Sequence, residues 1–460
     1  MIIKLNEFSI LIFLSSFMNI ITKEKIIFSW QILSHGAKAP FYGLINNTDI
    51  YKEYWNISSG ELSDVGKRML YLLGVKVRQR YIINNDDFLS NEYNPQEIFI
   101  RSTDTNITID SIESFLQGLY PHGTGKKIKK QVYTDKNRIY PPNKFYKKEF
   151  ENITNLYNLD NNNFSLPYGM SIEPFHAFYK QNHEFEFYDK NICKGIKKTY
   201  EQQQKSIEIK NFAEKLLIDF GYMIYDIEKT KNNKILSNYW ILYNYTDTFI
   251  CDDADARDFQ LLFNKYNFNN DKYNLYKNLS KEFLWLYYTN IIYPKGNKIL
   301  SNNISIAANS YTMHNIINWM EKAINCSENN INYLKFVVYS ADDSSISLLE
   351  HFMEYAFGTT IDFYEFAESR FLELYIDDNN KYKVRYLKGN LEEKLNIDYE
   401  EFKKIINDKT WDDDNVSEFC QFDSIKEESN KKSLSVALLI VLIITNITCL
   451  VILIFIWVKK

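Results

Sequence analysis

Glycine and proline are scarce in this chain, 14 and 8 of 460 residues, whereas tyrosine (35), phenylalanine (32), asparagine, isoleucine and lysine are abundant. A skew of that breadth reflects base composition, so no binding function is read from the aromatics. Long runs of Lys or Arg are missing, and 54 basic residues stand against 59 acidic ones for a formal charge of -5 and a pI near 5.8. Nothing in that balance attracts a phosphate backbone, and nucleic acid is excluded as a partner. Cysteine is also rare. The five residues Cys193, Cys251, Cys326, Cys420 and Cys449 are spaced too widely for a zinc ribbon, and no metal site is expected. No internal repeat is visible. What remains is an ordinary globular composition, 45% hydrophobic, long enough for one large or two smaller domains.

The two ends carry the longest apolar stretches. Phe8 to Ile21 has the length of a secretory signal core, which predicts a signal peptide over residues 1–22 with cleavage near Thr22. The cleavage site is not of the small-x-small kind, which leaves an uncleaved anchor as the alternative. Ser435 to Val458 is almost unbroken Leu, Ile, Val and Phe. At roughly 1.5 Å per residue it crosses a hydrocarbon core of about 30 Å, predicting one membrane span with a two-residue cytosolic tail, 459–460. The signal then places the rest, about 23–430, in the lumen or outside the cell, with Ile425 to Lys432 as a stalk. Lysosome, other endomembrane and cell surface all remain open, as does oligomeric state. Four cysteines fall in this ectodomain, enough for two disulfides. Sequons at Asn46, Asn56, Asn106, Asn152, Asn163, Asn244, Asn278, Asn303, Asn325 and Asn415 fit a glycosylated surface.

Three short apolar runs each stop at small polar residues and continue as an amphipathic helix. Ile26 to Leu33 leads into Ser34-His35-Gly36-Ala37-Lys38-Ala39-Pro40. Glu97 to Ile100 leads into Arg101-Ser102-Thr103-Asp104 and a helix over Asn106 to Leu119, with Asp104 or Thr103 as its cap. Leu334 to Tyr339 leads into Ser340-Ala341-Asp342-Asp343 and a third helix. Strand, loop, helix is the parallel α/β unit, and ligands of such sheets bind beyond the carboxyl ends of the strands. The three clusters therefore share one sheet edge. Pooled there, they supply an imidazole (His35), cations (Lys38, Arg101), carboxylates (Asp342, Asp343) and helix amino termini, which together make a phosphate pocket. Singly, each has a plainer reading: a loop histidine, a strand-end ion pair, a helix cap beside a solvated neighbour.

A further helix is predicted over Ser59 to Tyr81, capped near Ser63. Residues 126–300 are Lys-, Asn- and Tyr-rich with helical stretches at Asn211 to Tyr222 and Asn274 to Tyr288, and read as a mainly helical insertion between core segments at about 26–125 and 301–422.

In their order the motifs resemble the histidine acid phosphatase family, branch 2 of the histidine phosphatase superfamily. The family opens on Arg-His-Gly-x-Arg-x-Pro, matched by Ser34 to Pro40. Gly-x-Leu-(Ser/Thr)-x-x-Gly follows, matched by Gly60 to Gly66. The family's Arg-Ser-Thr-Asp helix corresponds to Arg101 to Asp104 and Gln117-Gly118-Leu119-Tyr120-Pro121, and Tyr-Ser-Ala-His-Asp to Tyr339 to Asp343. The resemblance implies an α/β fold with a mixed, mostly parallel sheet flanked by helices and an inserted helical cap. It implies His35 as nucleophile forming a phosphohistidine, Asp343 as the acid that protonates the leaving alcohol, Arg101 and Lys38 as phosphate ligands, a phosphate monoester as substrate, and no metal or organic cofactor. It also implies a Cys193–Cys420 bridge, leaving Cys251 with Cys326 as a second pair.

Several pocket positions depart from the family pattern: Ser34 and Lys38 replace arginines of the first loop, Ile107 replaces an arginine after Arg101, and Asp342 replaces a histidine. Each preorganised donor lost from such a site lowers the rate by on the order of a hundredfold to a thousandfold. Lysine is a point charge without arginine's planar fork, and a carboxylate at 342 repels a phosphate dianion. Two functions follow as expectations: an acid phosphatase working with a reduced pocket, or a family member that keeps the fold and serves as a binding or surface glycoprotein.

Overall fold

The computed structural model describes residues 24–41, 55–85, 88–133, 163–178, 193–207, 239–255, 270–289, 298–363 and 365–421, with single positions at 211 and 218. The expected signal, stalk, membrane span and tail, and the sequons Asn46 and Asn152, lie outside these residues. Among the described residues no helix is long and apolar enough to cross a membrane.

The strands are β1 (Lys25–Ser34), β2 (Ile98–Thr103), β3 (His176–Phe178), β4 (Phe336–Ala341), β5 (Ser369–Ile376), β6 (Tyr382–Lys388) and β7 (Glu392–Asp398). Among the described residues the helices of eight residues or more are α1 (Asp64–Arg78), α2 (Asn106–Leu119), α3 (Lys194–Gln204), α4 (Tyr239–Ala254), α5 (Asn270–Thr289), α6 (Lys298–Glu328), α7 (Asp343–Phe357), α8 (Tyr399–Lys409) and α9 (Asp413–Cys420). β1 is buried from its second residue to its last, and β4 along its whole length, so both need cover on both faces and run through the middle of the sheet. The observed order is β3-β2-β4-β1-β5-β6-β7. β1 with β4, β4 with β2, and β2 with β3 pair in parallel, whereas β5, β6 and β7 extend the other side antiparallel. Two separate apolar clusters cover the faces. One draws on α1 and α2 through Leu70, Leu73, Ile112 and Phe115. The other draws on α6, α7 and α8 through Met313, Met320, Leu349, Phe352 and Phe402. The result is a three-layer α/β/α arrangement in which β2, β4 and β1 are neighbours, and their carboxyl ends bring together the three polar clusters of the sequence.

Local chemistry sets the helix starts. Ser63 caps α1, its Oγ accepting from the Gly66 N–H at 3.1 Å. The helix begins there and not at Ser59, because Gly60 takes a left-handed φ of 77° and Leu62 bridges in extended form to Lys38. Arg101 to Thr103 continue β2, so the cap of α2 is Thr105, and neither Asp104 nor Thr103. The region expected to be a helical insertion contributes α3, α4 and α5, and also β3, which pairs with β2 at the sheet edge. Of its two expected helices, Asn274 to Tyr288 lies inside α5, whereas most of Asn211 to Tyr222 falls outside the described residues.

Cys193 and Cys420 form a disulfide that ties the start of α3 to the end of α9. The second expected pair is corrected: Cys251 and Cys326 are both free. Cys251 is wholly buried beside Lys38, whereas Cys326 sits near the end of α6.

Backbone contact between α1 and α2 is unusually close, since a Cβ on Gly74 would lie 2.0 Å from the Phe115 carbonyl oxygen and one on Gly118 2.0 Å from that of Tyr71. Helix backbone cannot step aside as a side chain can. Gly118→Ala is therefore expected to destabilise the fold by about 1–3 kcal/mol despite its better helix propensity. Thermal denaturation monitored by circular dichroism checks this, and an unchanged or raised Tm contradicts it.

Candidate active site

His35 follows β1 directly, in the turn Gly36-Ala37 that packs backbone to backbone on the start of α1. A Cβ on Gly36 would meet the Gly66 carbonyl oxygen at 2.5 Å, and one on Gly66 the Ala37 carbonyl oxygen at 2.1 Å. Both glycines are thus needed for close approach, which gives the Gly60 to Gly66 motif a structural meaning: it seats the histidine loop. The His35 side chain is 5% exposed. Its Nδ1 lies 2.9 Å from the Gly36 carbonyl oxygen, which can only accept, so Nδ1 carries hydrogen and Nε2 is the working nitrogen.

Nε2 faces Asp343 Oδ1 at 2.9 Å. Asp343 is the first residue of α7, with Asp342 at the cap position. Its other oxygen accepts a hydrogen bond from the Tyr288 hydroxyl of α5 at 3.2 Å. Tyr288 also bonds Tyr243 of α4, so the insertion reaches the acid. Burial disfavours the imidazolium of His35, but the facing carboxylate and its hydrogen bond outweigh burial and raise the pKa above the ordinary 6.5. The structure brings these two residues, both named from the sequence, into contact.

Lys38 stands elsewhere in the electrostatics. Its ammonium is buried, donates to Asp247 Oδ1 of α4 at 2.6 Å, lies 3.5 Å from Cys251 Sγ and sits 4.2 Å above the Phe41 ring. Asp247 Oδ2 accepts from the Phe41 backbone N–H at 2.9 Å. Burial alone lowers a lysine's pKa, yet Asp247 and its surroundings raise this one, so the charge is held and already matched by a carboxylate. Lys38 pins the histidine loop to the insertion, and its positive charge is largely spent there.

Ser34 is fully buried and its side chain engages the segment before β5. Glu368 N–H donates to Ser34 Oγ at 3.0 Å, Ser34 N–H donates to the Glu368 carbonyl at 2.9 Å, and Ala367 N–H donates to the His35 carbonyl at 2.9 Å. Ala367 adopts a left-handed φ of 55°, and the turn sets the Phe366 ring 5.6 Å from the His35 ring. A hydroxyl thus ties down a loop at the place where the family carries a phosphate-binding arginine. Ile107 packs in the apolar cluster between α1, α2 and the sheet and takes no part in the pocket. Asp342 is half-buried. Arg101 is half-buried near the end of β2, in one row across the sheet with Tyr339 of β4 and Ile32 of β1, on the edge that bears His35 and Asp343.

Sequence reasoning named His35 and Asp343 but not Asp247, Tyr288 and Phe366, which the structure places around them. Asp247 and Tyr288 come from helices without a motif, and Phe366 is one of many phenylalanines. Only the fold brings them in, laying the insertion with Asp247 and Tyr288 across the sheet edge and turning Phe366 onto His35 just before β5.

The sequence profile of the family described as Histidine phosphatase superfamily (branch 2) matches residues 8–388. The chain is 37% identical over 99 residues to lysosomal acid phosphatase of Xenopus laevis, and 34% identical over 98 residues to testicular acid phosphatase of Homo sapiens. Each match covers 21% of this chain and 22% of the relative. The chain therefore aligns with about a fifth of the length of these curated relatives. In fold it is similar to Hafnia alvei phytase in complex with myo-inositol hexakis sulphate, with a TM-score of 0.52 at 10% identity, over 84% of this chain and 98% of that one. A parallel-strand edge carrying His35 and Asp343 in contact, and a profile that spans most of the sequence, lead to one assignment: the chain belongs to branch 2 of the histidine phosphatase superfamily.

Proposed function

We propose that this protein hydrolyses phosphate monoesters through a phosphohistidine on His35, with Asp343 as proton donor and a rate reduced by the altered pocket. The observation that carries the reading is the 2.9 Å contact between His35 Nε2 and Asp343 Oδ1. That contact holds one proton. Resting on Nε2, it blocks the nucleophile; passed to Asp343, it frees the Nε2 lone pair and loads the acid together. A phosphoryl group entering between them is attacked by Nε2, the P–O bond to the alcohol breaks, and Asp343 delivers its proton to the departing oxygen. Water then attacks the phosphohistidine with Asp343 as base, releasing phosphate and restoring the pair. Arg101 is the expected bidentate phosphate ligand.

The matched charge of Lys38 and the replacement of the first-loop arginine by Ser34 remove two donors. Each loss lowers turnover by about a hundredfold or more. The same two observations, with Phe366 against the His35 ring, favour a second reading, a binding glycoprotein that keeps the fold without turnover.

The compartment belongs to the proposal as well. The apolar segments 8–21 and 435–458 support entry into the secretory route and anchoring by one span. The Cys193–Cys420 disulfide fits an oxidising lumen. Asn56, Asn106, Asn278, Asn325 and Asn415 are exposed sequon positions, as N-linked sugars require. The name of one relative, lysosomal acid phosphatase, supports an acidic compartment.

Phosphate release from a generic monoester is expected for the wild-type protein and is expected to vanish in His35→Ala; equal rates in the two sink the phosphatase reading and leave the binding one. A pH profile gives a second check. The pair needs its one proton, so kcat/KM should stay high up to and beyond pH 6.5 and fall as pH rises through the elevated His35 value. An alkaline limb well below 6.5 contradicts the assignment.

A further inference from the structure

Arg370 is a wholly buried arginine on β5, paired in register with Ile32 of β1, three residues before His35. Its Nε donates to Glu350 Oε1 and its Nη1 to Glu368 Oε2. Glu350 lies on α7, seven residues beyond Asp343, so the two carboxylates share a helix face about 10 Å apart along the axis. Glu368 is the residue whose backbone holds both the amide and the hydroxyl of Ser34, next to Ala367, which holds the His35 carbonyl. One guanidinium therefore grips, with separate nitrogens, the helix that carries Asp343 and the 366–368 turn that holds the His35 loop by backbone hydrogen bonds. Lys388 Nζ takes the second Glu350 oxygen at 2.5 Å, and the Tyr386 hydroxyl donates to the first at 2.7 Å. Two buried cations, Arg370 and Lys388, face the buried Glu350 and the partly exposed Glu368, and Lys388 also lies 3.5 Å from Asp362 Oδ2.

We infer that Arg370 is a positioning residue for the reaction, setting the Asp343 carboxyl against His35 by fixing α7 and the 366–368 turn to one strand. The role deepens the phosphatase reading and rests on it. It needs arginine specifically, because a planar fork serves two carboxylates in fixed directions, whereas lysine supplies one point charge. A network with a purely structural role would hold the fold without favouring any one step, and the test separates the two.

Arg370→Lys in the full chain keeps the charge and removes the fork. Three readouts are needed: the thermal melt, kcat/KM on an alkyl phosphate beside p-nitrophenyl phosphate, and the NMR titration of the His35 ring in protein labelled at histidine. Alkoxide departs only when protonated, while nitrophenolate departs unaided, so a misplaced Asp343 slows the first ester far more than the second. The expected loss on the alkyl ester is about a hundredfold, the effect of a displacement near 1 Å. The His35 midpoint is expected to fall towards the ordinary histidine value as the carboxylate moves off. Equal slowing of both esters, or an unchanged His35 midpoint, overturns the inference. Should the wild-type protein turn over neither ester, the phosphatase reading fails and the His35 titration alone decides whether Arg370 positions Asp343. Should Arg370→Lys not fold, Glu350→Gln, which removes the charged contact on α7 while preserving shape, takes its place with the same readouts.

Discussion

The 2.9 Å ion-pair contact between His35 Nε2 and Asp343 Oδ1 joins two segments more than three hundred residues apart in sequence, and most of the described architecture serves to make it. It requires β1 and β4 to lie side by side and parallel, so that the turn after one and the first turn of the helix after the other meet at the same edge. It requires Gly36 and Gly66, which let the histidine loop lie flat on the start of α1. It also requires the pair to be nearly dry, since the same carboxylate in open water would influence the imidazole far less. Burial and pairing oppose one another here, and pairing wins, raising the His35 pKa; on the proposed function this leaves one shared proton between the attacking group and the proton donor.

Around this contact, charge has been rearranged. Positions where the family uses arginines hold a serine, an apolar residue and a lysine paired to Asp247. The serine and lysine have acquired structural duties: Ser34 anchors the turn that bears Phe366, and Lys38 anchors the insertion through α4. Removing one partner of a buried pair such as Lys38–Asp247 is destabilising by about 3–5 kcal/mol, so these residues now belong to the framework as much as to the pocket. On the proposed function, a pocket altered in this way keeps His35 and Asp343 as nucleophile and acid and offers phosphate fewer donors.

Much of this was legible in the sequence. The three strand-to-helix junctions were marked by apolar runs that stop at small polar residues, and parallel topology alone placed His35, Arg101 and Asp343 on one edge. Ser63 was legible as a cap because a hydroxyl at that place has a defined backbone donor to accept from. The fates of Lys38 and Ser34 were not legible, because their partners, Asp247 and Glu368, sit far away in segments without periodic or motif signal. The cysteine pairing was half legible: the Cys193–Cys420 bridge followed the family resemblance, whereas nothing in the spacing told that Cys251 would be enclosed beside a lysine and Cys326 left near the end of α6.

The account's central claim is that His35 becomes covalently phosphorylated. Mass spectrometry of the protein quenched in alkali during turnover of a phosphate monoester tests it most directly, since phosphohistidine survives base. One phosphoryl group on the peptide containing His35, present in wild type and absent from the His35→Ala protein, is the predicted result. A protein that releases phosphate while His35 stays unmodified, or that carries the phosphoryl group on another residue, contradicts it.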